Sequence, residues 1–197
     1  MNRYITLQTP NGTLHGHLDR PDLPEGLVLI ARPHNAPVDA SQAAEFLNRG
    51  HAVFVMELLT AQEIQFSDAT HNVPRLTQRL IDILDLIRND GDMQALPLGI
   101  FVHGDMAPAA VRASALRDTQ VTALACHGGL IDRAGTQALD LLVAPLLMLF
   151  EPDDEIGMTA YRRAASHLTC QNDLRTLLPG EIPVSLVSRW FATFFAH

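Results

Sequence analysis

Leu98-Gly99-Ile100-Phe101-Val102-His103-Gly104-Asp105-Met106-Ala107 is the stretch whose reading decides the fold. Leu98 to Val102 is a short continuous apolar run, the pattern of a strand buried on both faces. Ala107 to Leu116 reads as the helix that follows. Only His103-Gly104-Asp105-Met106 separates the two, so the chain must turn sharply where it leaves the sheet.

The same alternation of strand and helix runs outward from that turn. Leu27–Ala31, Ala52–Met56, Val121–Cys126, Pro145–Phe150 and Asp173–Leu178 read as further strands. Asp39–Asn48, Val73–Arg88, Met158–Leu168 and Val184–Ala196 read as helices, with a short one around Ala134–Leu139. In Val73–Arg88, Leu76, Leu80, Ile83, Leu84 and Ile87 fall on one face. Toward the N-terminus, Arg3–Thr9 and Thr13–Asp19 alternate in polarity around Pro10-Asn11-Gly12, and Asn-Gly between such runs signals a hairpin. His15 and His17 share one face of that hairpin and are expected to meet solvent. The order implies a three-layer α/β sandwich with a mostly parallel sheet and an antiparallel start. No linker or repeat divides residues 1–197, so one domain is expected.

Composition narrows the partners. A net charge of −8 with no basic cluster disfavours a phosphate backbone, so nucleic acid is not expected. The apolar runs, such as Leu141–Phe150, are too short to cross a bilayer. The N-terminal residues lack a signal-peptide core, and the two cysteines form neither a finger spacing nor a disulfide framework. The cytoplasm is the expected compartment. Trp190, Phe191, Phe194 and Phe195 in the last helix are expected to pack on the sheet, with any exposed members offering a homodimer surface.

Several segments resemble the α/β-hydrolase superfamily, especially its small dienelactone-hydrolase-like members. Ala52–Thr60 is similar to that group's strand ending in D-L-L-T, and Leu76–Leu80 to the start of the following helix. Ala125-Cys126-His127-Gly128-Gly129 is similar to its S-R-G-G segment, and Ala144-Pro145 opens a strand like the one that delivers the catalytic acid. The resemblance covers roughly Leu27 to the C-terminus and implies the fold without a cap domain. It also implies a nucleophile at the tip of the strand-helix elbow, usually written G-x-S-x-G. Here that position is Gly104, flanked by Val102 and Met106. The implied acid falls on Asp153 or Asp154, and the implied histidine on Pro183 of Pro179-Gly180-Glu181-Ile182-Pro183. The oxyanion loop reads Arg32-Pro33-His34-Asn35-Ala36. Glycine offers no hydroxyl or thiol and proline relays no proton, so the usual triad chemistry is not expected.

Two residues are candidates for a relocated nucleophile. Asp105 would sit at the tip if the elbow shifted by one residue, as in the fold's aspartate-dependent dehalogenases and epoxide hydrolases; alternatively it caps the following helix. Cys126 stands beside His127 at a strand's carboxyl end and is either an activated thiol or a small core residue. His127 or His103 would be the base and Asp154 the orienting acid. His34, His103, Gly104 and Gly128 are the candidate ligand contacts at the same edge, where open α/β sheets hold small molecules. His34, Glu57, His103, Asp105, Cys126, His127, Asp153 and Asp154 include types that suit a divalent ion. No H-E-x-x-H or C-x-x-C spacing joins them, and neither metal nor other cofactor is expected. The functional reading is a small-molecule-binding or interaction module on a hydrolase fold. The alternative is an active hydrolase of small esters or lactones that uses Asp105 or Cys126.

Overall fold

Strands β3 (Leu27–Arg32) and β4 (Ala52–Glu57) are almost wholly buried, because helices cover both faces of the sheet's centre. A computed structural model of the chain describes residues 1–34 and 37–196. Its remaining strands are β1 (Asn2–Thr9), β2 (Gly12–Asp19), β5 (Leu98–His103), β6 (Val121–His127), β7 (Leu146–Phe150) and β8 (Asn172–Thr176). All eight form one sheet in the order β1-β2-β4-β3-β5-β6-β7-β8. β2 runs antiparallel to both β1 and β4, and every other neighbour is parallel. This is the mostly parallel sheet with an antiparallel start that the sequence implied.

The helices are α1 (Pro37–Asn48), α2 (Val73–Asn89), α3 (Ala107–Leu116), α4 (Thr136–Leu141), α5 (Glu155–Ala165) and α6 (Pro183–Phe195). One core joins Leu76, Leu80, Ile83 and Leu84 of α2 and Ala109, Ala110 and Ala113 of α3 to one sheet face. The other joins Phe46 of α1 and Val187 and Phe191 of α6 to the opposite face. No helix of the described residues is long and apolar enough to cross a membrane.

Local chemistry moves some boundaries. The hairpin register pairs Thr9 with Gly12, so the turn falls on Pro10 and Asn11 rather than on Asn-Gly. Proline's preset φ suits the first central position of such a turn. α5 begins earlier than its apolar pattern suggested, because the Asp154 carboxylate accepts the Gly157 N–H at 2.9 Å and caps the helix there. The short helix expected around Ala134–Leu139 divides into a 3-10 turn over Ile131–Ala134 and α4.

The α6 aromatics face inward. Phe191 is fully buried and stacks on Phe195 at 5.5 Å and on Phe46 at 6.4 Å. Trp190 and Phe194 meet edge to face at 5.0 Å and are half-buried on the same core. His51 joins them: its Nε2 lies 2.9 Å from Ser188 Oγ, and only 1% of the residue is exposed. The chain accommodates this layer through Gly99 in β5, where an added Cβ would stand 2.9 Å from the Phe191 ring. That ring is locked in its stack and cannot swing away. Gly99→Ala is therefore expected to destabilise the fold by about 1–3 kcal/mol through overpacking. Urea unfolding should show a lower midpoint at unchanged slope.

Candidate functional site

β5 and β6 end side by side at the carboxyl edge, with His103 paired to His127 and Val102 to Cys126. Successive strand residues face opposite ways, so the two imidazoles share one face and Cys126 takes the other. Their rings lie 5.2 Å apart, and His103 also packs on Phe101 at 4.7 Å. His103 Nε2 sits 3.1 Å from Gln42 Oε1 of α1, which calls for a proton on Nε2. Burial pushes the His103 imidazolium down to about 4, helped by the nearby charges of His127 and Arg32, so the ring is neutral near pH 7. His127 Nε2 reaches Glu151 Oε1 at 3.0 Å, just beyond β7, while its Nδ1 is buried without a hydrogen bond.

Cys126 is corrected by this placement. It is wholly inside the core, and desolvation drives its thiol well above the usual range. A thiol kept neutral and out of solvent is no nucleophile.

Gly104 follows at the elbow with φ +50, in a 3-10 turn over Gly104–Met106 that leads into α3. An added Cβ would meet nothing within 4 Å, so the position opens onto free space. Gly129 closes the turn from behind: a Cβ there would collide with the Gly104 carbonyl and the Ala107 methyl. Asp105 does not cap α3, since neither the turn nor the helix has a side-chain cap bond. Its half-exposed carboxylate instead accepts the Thr70 hydroxyl at 2.6 Å, with His71 Nε2 3.8 Å away.

Thr70 and His71 belong to the β4–α2 connection, which carries 3-10 turns over Glu63–Gln65 and Ala69–His71. Glu63 anchors that connection. Its oxygens take Arg79 Nη1 at 2.5 Å and Nη2 at 2.8 Å, and Arg79 is 3% exposed. The fork holds the Glu63 carboxyl down at about 2.

The other candidates are dispersed. Asp154 is engaged as the α5 cap, with its Oδ2 3.5 Å from where a Gly128 Cβ would stand. Asp153 is exposed, and Pro183 opens α6. The Gly128 N–H is already donated to the Leu149 carbonyl at 2.7 Å, so it does not offer a free donor to a ligand. His34 is exposed beyond β3. Asn35, Ala36 and His197 lie outside the described residues. Arg32 is 4% exposed, and burial lowers its guanidinium to about 10 against the opposing charge of Glu57. Among the described residues, no three His, Cys, Asp or Glu side chains gather as a metal-ligand set. Glu151, Gln42, Thr70 and His71 escaped the sequence reading because their roles come from contacts between distant segments.

The dienelactone hydrolase of Anabaena variabilis ATCC 29413 superposes with a TM-score of 0.85, at 24% identity over 100% of this chain and 97% of that one. Est1E from Butyrivibrio proteoclasticus gives 0.74 at 10% identity over 98% and 97%. A zinc-bound, cold-adapted esterase from an Arctic intertidal metagenomic library gives 0.73 at 13% over 98% and 93%. These likenesses are of fold, and the chain has the α/β-hydrolase fold. No family model matches it. Two Mycobacterium tuberculosis proteins, from strains CDC 1551 and H37Rv, are each provisionally named a phosphoribosyl transferase. Both are 30% identical over 169 residues, which make up 84% of this chain and 38% of theirs. The chain thus spans less than two-fifths of the length of the curated relatives it matches.

Two outcomes follow from the electrostatics. The His103 imidazole titrates near 4 when folded and at its ordinary 6.5 when unfolded, so the unfolded chain binds more protons between those values. Stability should fall as pH drops through 6.5 toward 4, by on the order of 3 kcal/mol from this group. His51, also lowered by burial, adds in the same direction. Urea midpoints across that window should decline less in His103→Asn. Glu63→Gln should cost about 2 kcal/mol, below the range for a wholly buried pair because Glu63 keeps some solvent contact. Hydrogen exchange over residues 58–72 should quicken in the same variant.

Proposed function

We propose that this chain is a small-molecule-binding module on an α/β-hydrolase fold, without Ser/Cys-His-Asp turnover. The observation that carries the reading is Gly104. It occupies the elbow with the positive φ and the open space that a nucleophile would use, and it has no side chain. A triad needs a nucleophile within hydrogen-bond reach of a base, and Gly104 supplies none.

What remains suits recognition. The Ala107 N–H is taken by the Gly104 carbonyl and Pro108 has none, so it is the first N–H groups of the Gly104–Met106 turn, which lack partners within the turn, that can donate to a carbonyl or carboxylate oxygen. Neutral His103 has its Nε2 proton on Gln42, so its Nδ1 can accept from a ligand hydroxyl or amide N–H without adding charge. Arg32, close enough to lower the His103 pKa, adds positive potential to the same edge while its guanidinium stays buried and engaged within the fold. A ligand bearing a carbonyl or carboxylate matches this set, and the absent hydroxyl lets it bind without being attacked.

A second reading keeps catalysis and rests on the Asp105 carboxylate, exposed one residue beyond the tip with His71 3.8 Å away. Asp105 would attack the acyl carbon of a small ester or lactone, and the acyl C–O bond would break with the alcohol oxygen taking a proton from solvent (the alcohol staying tethered in a lactone). Water would then hydrolyse the acyl–Asp105 anhydride to the free acid and carboxylate. The phosphoribosyl transferase name of the longer relatives adds no residue role to either reading.

Short acyl esters, lactones and a fluorophosphonate probe separate these readings. The binding reading expects no turnover above buffer and no adduct by intact mass. Turnover that Asp105→Asn abolishes, with an acyl adduct trapped by rapid quenching, replaces it with the second reading. Gly104→Ala should also cost about 1 kcal/mol in urea unfolding, since the left-handed backbone penalises any Cβ although the space is open.

A further inference from the structure

We infer that the groove between α3 and α4 binds an aliphatic monocarboxylate, with the carboxylate on Arg112 and the chain between Leu116 and Leu141. The groove encloses about 500 Å³ and lies toward the C-terminal end of α3, on a different part of the molecule from the elbow. That volume is within the range of small-molecule sites.

Three features define the ligand. The floor is apolar and low, formed by Ala115, Ala134 and Ala138. Its rims carry two leucines that nothing in the fold covers, Leu116 at 58% and Leu141 at 53% exposure. The single charge in the lining is the Arg112 guanidinium, and it is held in place: its Nε donates to the Ala134 carbonyl at 2.7 Å.

The outer half of that guanidinium is available. Among the described residues Arg112 makes no ion pair, in a protein whose net charge is −8. The acid within the Ile131–Ala134 turn, Asp132, is engaged by Arg163 at 3.2 Å. Beside the guanidinium lies Gly135 at φ +87, and Arg112 Nη2 is the atom its absent Cβ would meet, at 3.8 Å. The backbone thus leaves the terminal nitrogens uncovered. With Nε spent on Ala134, the planar fork keeps its end-on edge of two Nη N–H groups, which matches a carboxylate in bidentate fashion. One cation neutralises one negative charge, and the leucine-walled trough accepts an alkyl chain. A neutral amphiphile leaves the guanidinium unused, and a cationic one is repelled.

Calorimetry on the full chain, with decanoate and decanol below their micellar or solubility limits, tests this. Decanoate is expected to bind with one-to-one stoichiometry, and decanol at least about tenfold more weakly. Arg112→Gln should weaken decanoate about tenfold and leave decanol unchanged. Leu116→Glu, at an exposed rim position, should weaken decanoate more than decanol because it adds a like charge. Thermal melting of both variants at the wild-type midpoint confirms an intact fold. The inference is overturned if decanoate does not bind, binds no better than decanol, or is indifferent to both variants. It is also overturned if decanoate fails to bind and the chain forms a dimer that Leu116→Glu disrupts, since the groove is then a contact between copies. None of these outcomes depends on whether the Gly104 elbow binds or turns over a substrate.

Discussion

The carboxyl edge is organised by one steric constraint, the close passage of the β5–α3 turn against the β6 exit. Gly104 takes φ +50 and Gly129 takes φ +101, and the second has no room for a Cβ against the first. Because both residues are glycine, β5 can end beside β6 and α3 can begin at once. The His103 and His127 rings stand 5.2 Å apart at that edge. The tight strand-to-helix turn is therefore present with a residue at its tip that carries no side chain.

Around that turn, polar groups are arranged by longer-range pairs. The Glu63–Arg79 fork ties the β4–α2 connection to α2 and so brings Thr70 and His71 over Asp105. On the opposite side, α1 delivers Gln42 to His103, and the segment after β7 delivers Glu151 to His127. Each imidazole is thus oriented by a partner from another element. His103 is kept neutral mainly by burial, and the nearby cation and second imidazole push the same way.

Much of the architecture was legible in the residues. The apolar runs at Leu27–Ala31, Ala52–Met56 and Leu98–Val102 mark strands covered on both faces, and the stripe from Leu76 to Ile87 marks α2's buried side. Gly104 at the elbow and Pro183 at a helix start were also readable, because both follow from position along the chain. Side-chain roles were less legible. Cys126 and His127 are neighbours in sequence, yet the pleat sends one into the core and the other to the edge. Asp105 looked like a helix cap, but Thr70 offers its carboxylate a closer partner. Asp154, read as an acid, is occupied by a backbone N–H, and Glu151, exposed in an acidic string, meets the imidazole instead.

The sequence by itself determined the layer order, the parallel core, the antiparallel start and the absence of a hydroxyl or thiol at the turn. Those properties depend on periodicity, on glycine and proline geometry, and on which atoms a residue lacks. Only the tertiary structure decided which His faces which carboxylate, that Cys126 is sealed from solvent, and that Arg112, with no ion pair among the described residues, lies in a leucine-rimmed groove. Those properties depend on segments far apart in the chain meeting at a few ångströms, a separation that local pattern does not encode.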